Sequence, residues 1–123
     1  MFADTDFILA LIKSSDWLKQ NALTILNKHK GRITTSVSVM VELALVCNRL
    51  RMPIKRVFAN AFELISVNEE TYVTCLRAAT YMKKYGLNVF DAFHAAYCLD
   101  DKIISSDNAY EKVGLERIKL ERN

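Results

Sequence analysis

Apolar and polar positions follow two alternating periods along the chain, which predicts strands alternating with helices. Short apolar or β-branched runs are typical of buried strands, and apolar residues that recur every three or four positions are typical of helices. The predicted strands are residues 2–6, 32–36, 64–67, 102–105 and 117–120. The predicted helices are residues 7–13, 14–28, 37–50, 53–62, 68–85, one that begins at 88–91, and a short one at 108–113.

This order of elements predicts the fold class. Strands joined through helices pair in parallel by right-handed crossovers, and the helices then cover both faces of the sheet. We therefore expect residues 1–123 to form a single three-layer α/β/α domain with a parallel sheet of four to five strands. Ligands of such sheets bind beyond the carboxyl ends of the strands, where the strand order reverses.

Composition is consistent with a globular domain and says little about partners. Of the 123 residues, 51% are apolar and 25% are charged, which allows a real core. No apolar run is long enough to span a bilayer, and the first residues lack the pattern of an export signal, so we expect a cytoplasmic protein. The net charge of +3 is weak evidence for a polyanionic partner. The three cysteines form no CxxC pair, and we expect all of them to be buried and reduced.

Four acidic residues occupy positions that suggest chemistry. Asp4 ends the apolar part of the first strand, Asp91 lies in the first turn of a helix, and Asp107 follows the strand at 102–105. Glu42 lies within an apolar helix, where an unpaired charge is costly. Carboxylates that share a pocket repel one another unless a cation compensates, and oxygen ligands favour Mg²⁺ or Mn²⁺. Such an ion assists the hydrolysis of a phosphate ester.

Three of the four acids also have a purely structural interpretation. Asp91 could favour a helix N-terminus, and Asp107 could cap the short helix that follows it. Glu42 could pair with Arg49 or Arg32. These alternatives stay open at the level of the sequence.

The residues around Asp4 present a similar choice. Asp4 has no obvious capping role, whereas Asp6 is better interpreted as the cap of a helix beginning at Phe7 than as a ligand. Thr5, Ser36, Ser38 and Ser105 could hold carboxylates or metal-bound waters in place, although helix capping explains Ser36 at least as well.

Histidine, basic and aromatic residues are less specific candidates. His94 lies one turn after Asp91 and could contact substrate or metal, the alternative being a packed core histidine. Two basic clusters could contact RNA phosphates, although helix dipoles explain single members. The clusters are Arg49, Arg51, Lys55 and Arg56, and Lys28, Lys30 and Arg32. Phe93 and several tyrosines could stack on bases but are better explained by packing.

The order and spacing of these motifs resemble the PIN-domain family, most closely its VapC-like toxins. The motifs are FADTDFIL at 2–9, the helical Glu42, DAFHAA at 91–96 and IISSD at 103–107. The resemblance implies a metal-dependent endonuclease of single-stranded RNA, with Asp4 and Asp91 binding the metal most directly. Glu42 and Asp107 map onto the other two acids. It also implies a homodimer and, for toxins, an antitoxin protein that blocks the acidic pocket.

Two residues depart from the family pattern. Asp6 stands where Asn or Ser is common, and Ser105 replaces the more usual Thr of the last motif. Neither change removes a principal acid, so we expect activity to be retained. Two other functions are compatible with the same motifs, namely a nuclease of RNA maturation or decay and a protein-binding module without catalysis.

Overall fold

The structure is a computed structural model that describes residues 1–69 and 71–122. It contains an all-parallel sheet with helices on both faces, as the alternating pattern predicts. The strands are β1 (Phe2–Ala3), β2 (Thr34–Ser36), β3 (Ser66–Asn68), β4 (Ile103–Ser105) and β5 (Arg117–Lys119). The helices are α1 (Thr5–Ile12), α2 (Lys19–Lys28), α3 (Val37–Arg49), α4 (Ile54–Leu64), α5 (Tyr72–Tyr85) and α6 (Val89–Cys98), with a 3₁₀ helix at Asn108–Val113.

Sheet topology determines where a ligand site can form. The strand order is β3-β2-β1-β4-β5. β2 and β3 are thus added on one side of β1, and β4 and β5 on the other. The order therefore reverses between β1 and β4. At such a point the connections leave in opposite directions and open a crevice at the carboxyl edge.

The central strands are buried because both of their faces are covered. Phe2, Ala3, Ile103 and Ile104 are each at most 1% exposed, as continuous apolar strands in a parallel sheet should be. The predicted three-layer α/β/α class is confirmed, and the five strands of the sheet agree with the predicted four to five. No helix within the described residues is both long and apolar enough to cross a membrane.

Several predicted boundaries are wrong by a few residues. The first strand is shorter than predicted, because α1 begins at Thr5. The second helix begins at Lys19, since Asp16 uses its carboxylate to accept from the backbone N–H of Leu18 instead of starting a helix. Asn68 ends β3, and Thr71 caps α5; Glu70, which we placed at the start of that helix, lies outside the described residues. Local polar contacts of this kind decide where a helix begins, but they do not change the spacing of apolar residues from which the boundaries were predicted.

The expectation for the cysteines was partly wrong. Cys47 and Cys98 are buried in the core as predicted. Cys75 is exposed on α5, because the buried positions of this helix are Thr74 and Ala78. The predicted burial of Cys75 is therefore wrong.

Leu99, the C-cap of α6, has a strained backbone conformation. Its φ of 57° and ψ of −119° lie in a region that suits glycine, and its side chain is 48% exposed. We predict that Leu99→Gly raises the free energy of unfolding by about 1 kcal/mol, because the strain disappears and little packing is lost. Chemical denaturation measures the change.

Leu50 provides the matched control, since it is also an exposed leucine at a helix C-cap. Its φ of −87° is ordinary for an L-residue. Leu50→Gly should therefore lower the free energy of unfolding by about 0.5–1 kcal/mol through chain entropy. Equal destabilisation by both substitutions would contradict the assignment of strain to Leu99.

Candidate functional site

The acids predicted from the sequence meet at the carboxyl edge of the sheet. Asp4 directly follows β1, and Asp107 lies just beyond β4. Glu42 projects from α3, and Asp91 lies in the first turn of α6. All of them line one open cavity of about 270 Å³ together with Asp6. The fold thus brings together residues that are up to about a hundred positions apart in the chain.

Asp4 is the most deeply enclosed of these acids. It caps α1, since its Oδ1 accepts from the backbone N–H of Thr5 at 2.7 Å, so the expectation that it caps nothing was wrong. Its Oδ2 accepts from the Ser105 hydroxyl at 2.7 Å. Ser105 therefore positions Asp4 across the boundary between β1 and β4.

Glu42 receives its hydrogen bonds from residues on two other helices. The Thr5 hydroxyl donates to Oε1, and His94 Nε2 lies 3.2 Å from the same oxygen. Neither Arg49 nor Arg32 forms an ion pair with Glu42 within the described residues. The alternative in which Glu42 pairs with an arginine is therefore not seen. Its hydrogen bonds instead hold the carboxylate at the cavity, which Glu42 lines.

His94 is a fully buried histidine within this acidic cluster. Its Nε2 also lies 3.7 Å from Oδ1 of Asp4, and its Nδ1 lies 3.4 Å from the Ser38 hydroxyl. Ser38 in turn contacts the hydroxyl of Ser36, which occupies the N-cap position of α3 but makes no side-chain cap bond. The predicted capping role of Ser36 is thus not seen, and Ser36 belongs to a chain of contacts that ends at His94.

Asp91 is held by residues on either side of it. Asn88 caps α6 by accepting from the backbone N–H of Asp91, and the Asn88 amide donates to Asp91 Oδ2 at 2.9 Å. The hydroxyl of Tyr110, a fully buried residue, donates to Asp91 Oδ1 at 3.0 Å. Burial, together with the charges of Asp4 and Asp91, raises the pKa of Tyr110 far above its usual range.

Asp107 and Asp6 contact the loop that follows β4. Asp107 caps the 3₁₀ helix by accepting from the backbone N–H of Ala109 at 2.8 Å, which bears out its structural interpretation while it also lines the cavity. Asp6 does not cap a helix at Phe7, because it lies inside the first turn of α1. Its Oδ2 accepts from the backbone N–H and the hydroxyl of Ser106.

Tyr110 and Ser106 are site residues that sequence reasoning missed. Ser106 lies within the motif at 103–107, between the two candidate residues Ser105 and Asp107. A serine beside an aspartate after a strand is a weak signal that could have suggested it. Tyr110 had no comparable signal, because a tyrosine in a short helix is usually explained by packing.

Burial and mutual repulsion make the negative charge of this pocket costly. Burial raises the pKa values of Asp4 and Asp91, and burial together with the charge of Asp4 raises the pKa of Asp6 to about 6. Burial acts on Glu42 in the same direction, but hydrogen bonds from His94 and Thr5 outweigh it and lower the pKa of Glu42. The pocket therefore contains carboxylates that need compensation.

The donor set fits a divalent cation. Five carboxylates line the cavity, and no Lys or Arg is among the described residues that do so. Ligand atoms of Asp4, Glu42 and His94 lie within 4.8 Å of one another. Oδ1 of Asp6 is buried and accepts no hydrogen bond from any described residue. Such oxygen-rich sites suit hard ions, and one ion would relieve both the repulsion and the unpartnered oxygen.

We predict that Asp6→Asn stabilises the metal-free protein at pH 7. Because the pKa of Asp6 is raised on folding to about 6, its ionisation opposes folding; this penalty is absent below about pH 4 and complete above about pH 7. Two pKa units correspond to at most about 3 kcal/mol, and partial solvent access reduces the expected gain to about 1 kcal/mol. Denaturation in a chelator at pH 7 and pH 4 measures it.

Asp100→Asn is the control for this substitution, since Asp100 is exposed and outside the cavity. It should leave the free energy of unfolding unchanged at both pH values. A gain for Asp6→Asn of the same size at pH 4 and pH 7 would contradict an effect of ionisation.

Comparisons with known proteins agree on the fold. The solved toxin-antitoxin complex from Klebsiella pneumoniae contains a chain with 13% identity and a TM-score of 0.75, over 99% of this chain and 98% of that chain. The structure of VapBC2 from Rickettsia felis, bound to a DNA fragment from its promoter, contains a chain with 13% identity and a TM-score of 0.73, over 98% of both chains. The structure of VapBC-1 from nontypeable Haemophilus influenzae contains a chain with 16% identity and a TM-score of 0.68, over 97% of this chain and 96% of that chain. Likeness at such low identity establishes a shared fold.

Sequence comparison identifies the family. A search of curated proteins gives no significant match. The family model of the PIN domain matches residues 1–115, which include β1, α3, α6 and β4 and hence every acid of the cavity. The chain therefore belongs to the PIN-domain family.

Proposed function

We propose that the chain is a Mg²⁺- or Mn²⁺-dependent endoribonuclease that hydrolyses phosphodiester bonds of single-stranded RNA. The observation that supports this function best is the open cavity in which five carboxylates converge, with no Lys or Arg among the described residues that line it. Membership of the PIN-domain family supports a nuclease in particular. Asp4, Glu42, Asp91 and Asp107 are the proposed catalytic and metal-binding residues.

The proposed roles follow from how each carboxylate is held. A bound divalent ion supplies Lewis-acid stabilisation of the phosphate and activates water. Asp4 and Asp91 would bind it most directly, with Glu42 and Asp107 completing the acidic shell. Thr5, Ser105 and Tyr110 restrict the carboxylate rotamers, so that little reorganisation is needed when the ion binds.

We propose further that the nuclease is the toxin of a toxin–antitoxin pair. The similar structures from Klebsiella pneumoniae, Rickettsia felis and Haemophilus influenzae are all toxin–antitoxin complexes, which supports this role. The antitoxin would be a protein that covers the acidic cavity. Growth arrest on expression, relieved by Asp91→Asn and by a small protein encoded next to the gene, distinguishes a toxin from a nuclease of RNA maturation or decay.

We also propose that residues 1–123 act as one domain and assemble as a homodimer. An apolar surface on α3 and α6 supports this assembly, since Val37, Val41 and Val89 are 41%, 51% and 52% exposed and adjoin Phe93. Contiguous apolar surface of this kind is typical of protein contacts. Light scattering on the purified chain gives the mass that tests it.

Cleavage of labelled RNA tests the proposed enzyme function. Purified protein should cut single-stranded RNA with Mg²⁺ or Mn²⁺, stop cutting in a chelator, and leave duplex RNA and single-stranded DNA of the same sequence largely intact. Asp91→Asn protein, purified in parallel, controls for contaminating ribonucleases. Cleavage that persists in the chelator or in this variant would reject the proposal.

A further inference from the structure

A second cavity opens beside the acidic one and shares Glu42 with it. Its volume is about 400 Å³, within the range of small-ligand sites. Apart from Glu42, it is lined by Leu45, Asn48 and Arg49 of α3 and by Phe90 of α6. A ligand in this cavity would therefore lie next to a group bound at the acids.

Arg49 provides a positive charge at this cavity. Its guanidinium makes no hydrogen bond or ion pair with any residue in the described ranges, and the side chain is exposed. Arg49 is nevertheless close enough to Glu42 to help lower the pKa of that carboxyl. A planar guanidinium is well suited to bind a phosphate through two parallel hydrogen bonds. The helix dipole explains a basic residue here but not its position on a cavity that borders the acids.

Phe90 provides an aromatic surface in a fixed position. Its ring centroid lies 6.2 Å from that of the buried His94, with an angle of 34° between the rings. One side of Phe90 is thus packed against the acidic site, while the residue also lines the open cavity. Unpaired RNA bases are commonly bound on aromatic rings of this kind.

Asn48 adds a hydrogen-bonding group at the same cavity. It is exposed, and its side-chain amide makes no hydrogen bond with the described residues. An amide offers both a donor and an acceptor, which matches the mixed edge of a nucleobase. Charge, aromatic surface and amide are the three kinds of group that a nucleotide requires.

We propose that this cavity binds one nucleotide of a single-stranded RNA, adjacent to the phosphate held at the acids. Arg49 contacts its phosphate, Phe90 packs against its base, and Asn48 hydrogen-bonds to the base edge. The inference rests on the proposed ribonuclease function and adds a subsite to it. A second copy of the chain or an antitoxin segment is the competing occupant, because Phe90 also borders the apolar surface near Val41.

Fluorescence anisotropy with a short labelled single-stranded RNA tests the subsite. Ca²⁺ replaces the catalytic ion, and a gel confirms that the RNA stays intact. Arg49→Ala should weaken binding about tenfold and reduce the slope of log affinity against log salt by about one. Phe90→Leu should weaken binding about tenfold and leave the slope unchanged, because stacking involves no phosphate.

Matched controls come from residues away from the cavity. Lys102→Ala removes an exposed cation at the amino-terminal edge of the sheet, outside both basic clusters, and Phe62→Leu shortens an exposed phenylalanine on α4. Both should bind RNA like the wild type. Because Arg49 is exposed, its substitution should not impair folding, which thermal unfolding checks.

The possible outcomes separate the subsite from the enzyme. If Arg49→Ala and Phe90→Leu bind RNA as tightly as the wild type while Asp91→Asn still abolishes cleavage, the subsite is wrong and the ribonuclease stands. If these variants lose self-association while RNA binding is unchanged, the cavity belongs to an interface with a second copy of the chain. That result would also overturn the proposed subsite. If the wild type cuts no RNA with Mg²⁺ or Mn²⁺, the proposed function itself fails.

Discussion

Asp91→Asn is expected to lower the rate of RNA cleavage about a thousandfold, which corresponds to about 4 kcal/mol of activation free energy. The amide keeps the size of the carboxylate but removes the charge that would hold a divalent ion. It can still accept from Tyr110 or from Asn88, although not from both in their present geometry. Single-turnover cleavage of a labelled RNA measures the effect.

Stability distinguishes a lost ion site from a damaged fold. Because burial raises the pKa of Asp91, removal of its charge should offset the lost hydrogen bond, and the free energy of unfolding should change by less than about 1 kcal/mol. Asp100→Asn, an exposed change outside the cavity, should cut RNA like the wild type. Full activity of Asp91→Asn, or equal loss in both variants, would contradict the proposed role.

His94→Leu is expected to weaken metal binding by ten- to a hundredfold, as is usual for residues that orient ligands. The buried imidazole contacts Glu42 at 3.2 Å, and leucine would leave that oxygen with Thr5 alone. His94→Gln should restore most of the affinity, because its amide nitrogen can occupy the position of Nε2. Calorimetry with Mn²⁺ and Mg²⁺ measures both variants.

The two ions distinguish a positioning residue from a ligand. If His94 only orients Glu42, the affinities for Mn²⁺ and Mg²⁺ should fall by a similar factor. If its nitrogen binds the ion, Mn²⁺ should lose much more, since Mg²⁺ prefers oxygen. His29→Gln, a histidine beside Arg32 at the other edge of the sheet, is the control and should change neither affinity. Wild-type affinities in His94→Leu would exclude both roles.

Much of the fold could be predicted because the pattern of buried residues repeats with the period of each element. The strand runs around Phe2 and Ile103 and the helical period of 37–50 correspond to buried faces in the structure. The acids could be predicted as a group because strand ends at the same edge of a parallel sheet converge. Helix starts were less accurate, since capping depends on one local hydrogen bond, as Asp4 and Thr71 illustrate.

The contacts that hold the carboxylates could not be predicted in the same way. Ser105 reaches Asp4, and Tyr110 reaches Asp91, only because β4 and the 3₁₀ helix pack beside β1 and α6. Their partners are far away in the chain and leave no periodic signal. His94 is an example of what the sequence does not predict. Its position one turn after Asp91 suggested a contact with the site, but not that the imidazole is completely buried between Asp4 and Glu42.

Anomalous diffraction from a crystal soaked in Mn²⁺ tests most directly whether distant acids share one ion. We predict a peak in the cavity within about 2.3 Å of carboxylate oxygens from both Asp4 and Asp91. The same soak of Asp91→Asn crystals should give a much weaker peak. An ion bound by only one of these two residues, or no peak at saturating Mn²⁺, would contradict the shared site and the ribonuclease proposed from it.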